Sequence, residues 1–127
     1  MKIQLTKKES LDFFHSSLCN AIGTGYMNGY GIELQYNSAE YKESRKKLME
    51  PCFEDVLIQM LKDGYKLTML DIENEGEYTK TIDINTVYER VCKTPVDHLV
   101  DMINEEDDVT TADVILQTVF YNEVIFG

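Results

Sequence analysis

The sequence predicts an α+β fold: one domain over residues 1–127, with a small, mainly antiparallel sheet and five or six helices around it. Three observations predict it. Stretches with apolar residues at helical spacing and stretches of period two follow one another irregularly, which argues against a doubly wound parallel sheet. A chain of 127 residues, 43% of them hydrophobic, buries a core without needing disulfides or metal. No repeat, low-complexity segment or linker interrupts it.

Lys2–Leu5 reads as a short opening strand. Thr6 and Glu9 form a T-x-x-E capping box, followed by Leu11, Phe14, Leu18 and Ile22 at helical spacing, with Gly23 placed to end the helix. Asn28-Gly29 signals a tight hairpin turn, because both residues tolerate positive φ. Tyr30, Ile32, Leu34 and Tyr36 then alternate as a half-buried strand. Asn37 and Glu40 cap a polar, basic surface helix that runs to Met49.

Pro51 suits the first turn of a third helix, whose stripe is Phe53, Val56, Leu57, Met60 and Leu61 and whose end is Gly64. Two strands, "YKLTMLDI" and "YTKTIDI", flank "ENEGE". Asn85 caps a short helix with Val87, Tyr88 and Val91 inward. Thr94 caps the next, with Pro95 first, Asp97 in the first turn, and Val96, Leu99, Val100 and Ile103 as its apolar face. Thr110 and Asp113 repeat the capping pattern before Val114, Ile115, Leu116, Val119 and Phe120. The end, "EVIFG", is a closing strand or a packed tail.

Charge bounds the function. The net charge is −11, unevenly placed: residues 1–63 carry 9 acids and 8 bases, residues 64–127 carry 14 acids and 4 bases. Such a surface repels phosphate backbones, so direct nucleic-acid binding is not expected. Solubility alone also accounts for such charge. No apolar run approaches the roughly 20 residues that cross a bilayer, and the N-terminus lacks the apolar region of a secretory signal. Cys19, Cys52 and Cys92 are odd in number and widely spaced, as in reduced thiols of a cytoplasmic protein.

The motifs point away from catalysis. "DIENEGEYTKTID" imitates a calcium loop, with Asp71, Glu73 and Glu75 alternating and Gly76 sixth, but its twelfth position is Ile82 and its flanks are strands. A turn with solvent-facing acids explains it. "GTGYMNGYG" lacks the dinucleotide fingerprint and its strand–helix setting, although Tyr26 and Tyr30 suit stacking on a ring. His15 and Cys19 lie four apart on one helix; Cys52, Cys92 and His98 complete a zinc set only if the fold gathers them. No metal ligand and no cofactor is expected. Asn104–Asp108, "NEEDD", places acids where a helix ends, which its dipole disfavours, and so hints at an acidic binding surface. The basic cluster Lys42, Arg45, Lys46 and Lys47 is interleaved with Glu40 and Glu43.

"EDVLIQMLKDGYKLTMLDIENEGEY" and "TADVILQTVFYNEVIFG" resemble small acidic proteins of unknown function encoded by bacteriophages and prophages, over the last two-thirds of the chain. No catalytic or binding residue is carried over. The resemblance implies a context: accessory or anti-defence factors that occupy a host protein, some by imitating nucleic-acid charge.

The leading expectation is therefore a non-enzymatic protein-interaction factor, an inhibitor or accessory acting on a basic, nucleic-acid-handling host protein. Its contact acids are Glu73, Glu75, Glu77, Glu105, Glu106, Asp107 and Asp108. A second reading is a symmetric homo-oligomer binding a nucleotide or small phosphorylated ligand, with Tyr26 and Tyr30 stacking and Lys42, Arg45 and Lys46 meeting phosphate. A third is a metal-dependent hydrolase built on Asp71. No membrane partner is expected.

Overall fold

A computed structural model describes residues 3–127. Ile3–Leu5 form no strand, and Lys2 of the expected strand lies outside the described residues. Helix α1 (Lys7–Ser17) opens on the expected box: the Glu9 amide donates to Thr6 Oγ1 (3.1 Å) and the Thr6 amide to Glu9 Oε1 (2.9 Å). It passes into a π-helical turn, Leu18–Ile22, closed by the Gly23 amide on the Leu18 carbonyl at 3.0 Å. Gly23 keeps ordinary right-handed geometry there. Its reason is space, since a Cβ would stand 2.6 Å from a Glu54 carboxylate oxygen and 2.8 Å from the Cys19 carbonyl oxygen.

The hairpin expected at Asn28-Gly29 is absent. Tyr26–Tyr30 instead form a 3₁₀ turn, and the positive φ falls on its flanking glycines, Gly25 (+75°) and Gly31 (+74°). A hairpin needs a strand before the turn, and "GTGYM" has no period-two apolar face to form one. Strand β1 (Ile32–Gln35) pairs instead with the distant β2 (Leu67–Asp71), antiparallel, Ile32 opposite Asp71. Strand β3 (Lys80–Ile82) pairs antiparallel on the other side of β2, Leu67 opposite Ile82. The order is β1-β2-β3. Ile32, Leu34, Leu67, Met69 and Ile82 face the core, while the Thr68 and Thr81 hydroxyls meet at 2.8 Å.

Helix α2 (Ser38–Arg45) starts as expected, with Asn37 Oδ1 accepting from the amides of Ala39 and Glu40, both at 3.0 Å, but it stops short of Met49. Its buried Ser44 donates to Asp63 Oδ2 at 2.7 Å. Helix α3 (Phe53–Lys62) begins after Pro51, not on it: the extended Cys52 is the N-cap, and its amide donates to the Asp55 carboxylate at 3.3 Å. Its end is the expected glycine. Gly64 sits at φ +89°, with Gly64 and Tyr65 amides returning to the carbonyls of Leu61 (3.1 Å) and Met60 (2.9 Å).

Three later caps differ from their expected positions, two lying upstream and one a residue downstream. Helix α4 (Ile84–Arg90) is capped by Asp83, whose Oδ1 accepts from the Thr86 amide at 3.0 Å; Asn85 already lies in its first turn. A 3₁₀ turn, Val91–Lys93, follows. Helix α5 (Val96–Ile103) takes Pro95 as its N-cap, so Thr94 caps nothing and its hydroxyl is buried without a partner. Leu99 and Met102 face the core, whereas Val100 and Ile103 of the expected apolar face are exposed. Helix α6 (Val109–Tyr121) is capped by Asp108 rather than Thr110, with the Thr111 amide donating to Asp108 Oδ1 at 3.0 Å.

Helix α6 is buried from Ile115 to Phe120 and forms the centre of the molecule, its buried polar side chains satisfied by hydrogen bonds such as Thr118 Oγ1 to the Val114 carbonyl at 2.7 Å. It packs on α1, α4, α5, the π turn and β3. Phe120 meets Phe14 at 6.3 Å between ring centroids. The tail after α6 is packed rather than a strand. Gln117, fully buried, accepts from the Ile125 and Phe126 amides (both 2.8 Å) and donates to Asp113 Oδ1 (2.7 Å) and the Phe126 carbonyl (3.2 Å). Among the described residues, no helix is long and apolar enough to cross a membrane.

Candidate interaction surface

The loop between β2 and β3 is organised by one carboxylate. Asp71, 4% exposed, accepts at Oδ1 from the amides of Glu73 (3.1 Å) and Asn74 (2.9 Å) and from Asn74 Nδ2 (3.3 Å), and at Oδ2 from the Tyr78 amide (3.0 Å). Burial pushes its pKa up, but these donors outweigh burial and hold the group below the ordinary 3.8. A carboxylate so committed is a loop organiser and has little left for a catalytic metal. Glu75 (φ +57°) and Gly76 (φ +83°) turn the loop, and Glu73, Glu75 and Glu77 are all exposed.

The second acidic loop follows α5. Glu105 and Glu106 amides return to the carbonyls of Met102 (3.2 Å) and Asp101 (2.8 Å), the same closure as at Gly64. Glu105 takes the left-handed position, φ +56°. Asp107 accepts from Asn20 Nδ2 at 3.2 Å, and Asp108 is the α6 cap. The Thr111 amide, ahead of any opposing burial, holds Asp108 below the ordinary carboxylate value. Of the seven acids singled out from sequence, these last two therefore have structural duties.

Both loops border one segment. Asp107 meets Asn20 at its start; at its end the Glu73 side chain lies where a Gly31 Cβ would stand, and the Ile72 amide donates to the Gly31 carbonyl at 2.9 Å. Between them Tyr26 is 42% exposed. Every ion pair among the described residues lies elsewhere: Lys8–Asp12, His15–Asp55, Lys46–Glu43 and Lys47–Asp63. The loop acids thus carry uncompensated charge.

The other sequence candidates are not assembled as a phosphate site. Tyr30 stacks on Phe126 (5.1 Å, 11°), donates its hydroxyl to Asp113 at 2.5 Å and meets Tyr26 edge-on. Burial first, then Asp113, push its pKa up. One face and the hydroxyl of Tyr30 therefore belong to the fold. Lys42, Arg45 and Lys46 lie on or just beyond α2, which packs on α3, whereas the Tyr26–Tyr30 turn packs on the π turn, β1 and α6. Cys92 Sγ donates to the Glu89 carbonyl (3.4 Å) and His98 Nδ1 meets Thr111 Oγ1 (3.2 Å), apart from His15 and Cys19. All three cysteines are free. Sequence reasoning assigned Asp55 to the helix N-terminus alone, yet its Oδ1 also meets His15 Nε2 at 2.8 Å. Comparison with protein-family models, curated proteins and solved structures finds no match to this chain.

Proposed function

We propose that this chain is a non-enzymatic cytoplasmic interaction protein that docks through its two acidic loops onto a basic, nucleic-acid-handling protein, as a phage-type inhibitor or accessory factor. The observation that carries this reading is the row of exposed, cation-free carboxylates on both loops, at either end of the segment that presents Tyr26. Glu73, Glu75, Glu77, Glu105 and Glu106 supply the charge. Asp107 and Asp108 hold the second loop in place. Tyr26 supplies the aromatic contact, since arginine side chains stack on exposed tyrosine rings. A basic groove evolved for phosphates meets the same sign of charge here.

The test is capture by the immobilised chain at two salt concentrations, with duplex DNA as competitor. Partners are expected to be held at low salt, released as salt rises, and displaced by the DNA. Replacing Glu73, Glu75 and Glu77 together by Gln should weaken capture by about tenfold, taking ~0.5 kcal/mol for each exposed ion pair. Capture indifferent to salt and to these substitutions would sink the proposal.

A further inference from the structure

One cluster of donors lies outside that surface. His15 sits in the last turn of α1, Cys19 one turn on in the π-helical segment, and Cys52 and Asp55 at the N-cap and third position of α3. Ligand atoms of His15, Cys52 and Asp55 all lie within 4.8 Å of one another. His15 Nε2 stands 2.8 Å from Asp55 Oδ1 and 4.0 Å from Cys19 Sγ. In a tetrahedral zinc site, with metal–N and metal–O near 2.0 Å and metal–S near 2.3 Å, ligand atoms stand about 3.3–3.8 Å apart. The His15–Asp55 gap is a little short of this and the His15–Cys19 gap a little long. Each of these two gaps is about half an ångström from that spacing. Cys52, within 4.8 Å of the His15 and Asp55 ligand atoms, and Cys19, which is not within 4.8 Å of all three, move closer by side-chain rotation to complete the set.

We propose that His15 Nε2, Cys19 Sγ, Cys52 Sγ and Asp55 Oδ1 form a four-ligand site for a zinc-class divalent ion, closing α1 and its π turn onto the N-terminus of α3. The mixture of imidazole, thiolate and carboxylate suits a borderline-soft cation rather than calcium or magnesium. Three further observations agree. The π turn, a feature that recurs at functional sites, falls on Cys19 and sets its position relative to His15. Asp55 keeps its other oxygen on the Cys52 amide, so the cap survives and orients the ligating carboxylate. His15 and Asp55 also line an open groove of about 590 Å³, which gives an ion a way in.

Reduced, chelator-treated protein titrated with Co²⁺ tests the site. One equivalent should bind with tetrahedral visible bands and thiolate-to-cobalt charge-transfer absorption, and Zn²⁺ should displace it. Cys52→Ser is the informative variant because serine is a favoured N-cap and preserves the start of α3. Cys19→Ser and Cys52→Ser should each remove about half the charge-transfer absorption and weaken binding on the order of 100-fold, more than loss of an outer partner does. Cys92→Ser should change neither. Absence of one-to-one binding, a spectrum without thiolate absorption, absorption unchanged by Cys19→Ser, or loss in Cys92→Ser equal to that in Cys52→Ser would each overturn the assignment.

Discussion

At the scale of single residues, the second acidic loop is built against its own stability. Helices α3 and α5 end in the same double closure, yet the left-handed position is Gly64 in one and Glu105 in the other. A side chain there costs roughly 1–2 kcal/mol in backbone strain, against a chain-entropy advantage over glycine of about 0.5–1 kcal/mol. A carboxylate at a helix C-terminus adds a further unfavourable term of about 0.3–1 kcal/mol. Glu105→Gly should therefore raise stability by about 1 kcal/mol, read as a higher denaturation midpoint with an unchanged slope. Under the docking reading the same variant should bind the basic partner more weakly. Opposite signs in the two measurements would locate the reason for Glu105 in binding; a variant destabilised instead would mean that the strain is offset by contacts of Glu105 itself.

At the scale of elements, the helix bodies were legible, as were the caps of α1 and α2 and the glycine end of α3, whereas the starts of α3 to α6 were not. Periodicity located α1, α3 and α6 because the apolar face repeats over several turns. Caps turn on one residue's extended backbone, and this chain offers several acceptable candidates in a row: Asp83 before Asn85, and Asp108 before Thr110. In each pair the aspartate that lies upstream won. The α5 face was misread because Met102 competes with Val100 and Ile103 for the inward side. The acidic loops were legible as charge. Their convergence on the Asn20–Gly31 segment was not, because contacts such as Asn20–Asp107 span the chain and leave no local pattern. The same holds for His15 and Asp55, where only the His15–Cys19 spacing was written locally.

Capping also sets the acid response. Asp108 titrates below its ordinary 3.8 when folded, so its stabilisation is complete above that value and is lost as pH falls through the folded pKa. Asn caps helices about as well as Asp and does not titrate. Asp108→Asn should thus leave neutral-pH stability nearly unchanged and flatten the loss of stability below about pH 4, measured as Tm against pH. A variant as acid-sensitive as the parent would assign the acid response to other groups, such as Asp71 and Asp83, which are also held low.

At the scale of the whole molecule, charge works in opposite directions on folding and on docking. The ion pairs of the described residues all lie between Lys8 and Asp63, on mostly exposed side chains, and salt takes little from such pairs. The half from residue 64 onward holds 14 acids and 4 bases, so folding gathers like charges that the unfolded chain keeps apart. Raising ionic strength from about 0.01 to 0.15 M shortens the screening length from roughly 30 to 8 Å and relieves that repulsion. Tm should rise by a few degrees, about what a change of 1 kcal/mol produces in a chain of this size. The Glu73, Glu75, Glu77→Gln protein should start from a higher Tm at low salt and gain less from added salt. Partner capture should move the other way with the same variable, strongest where the free chain is least stable. A Tm that falls with salt would mean that attractive pairs dominate the fold, and the acidic loops would then lose their standing as charge held in reserve for a partner.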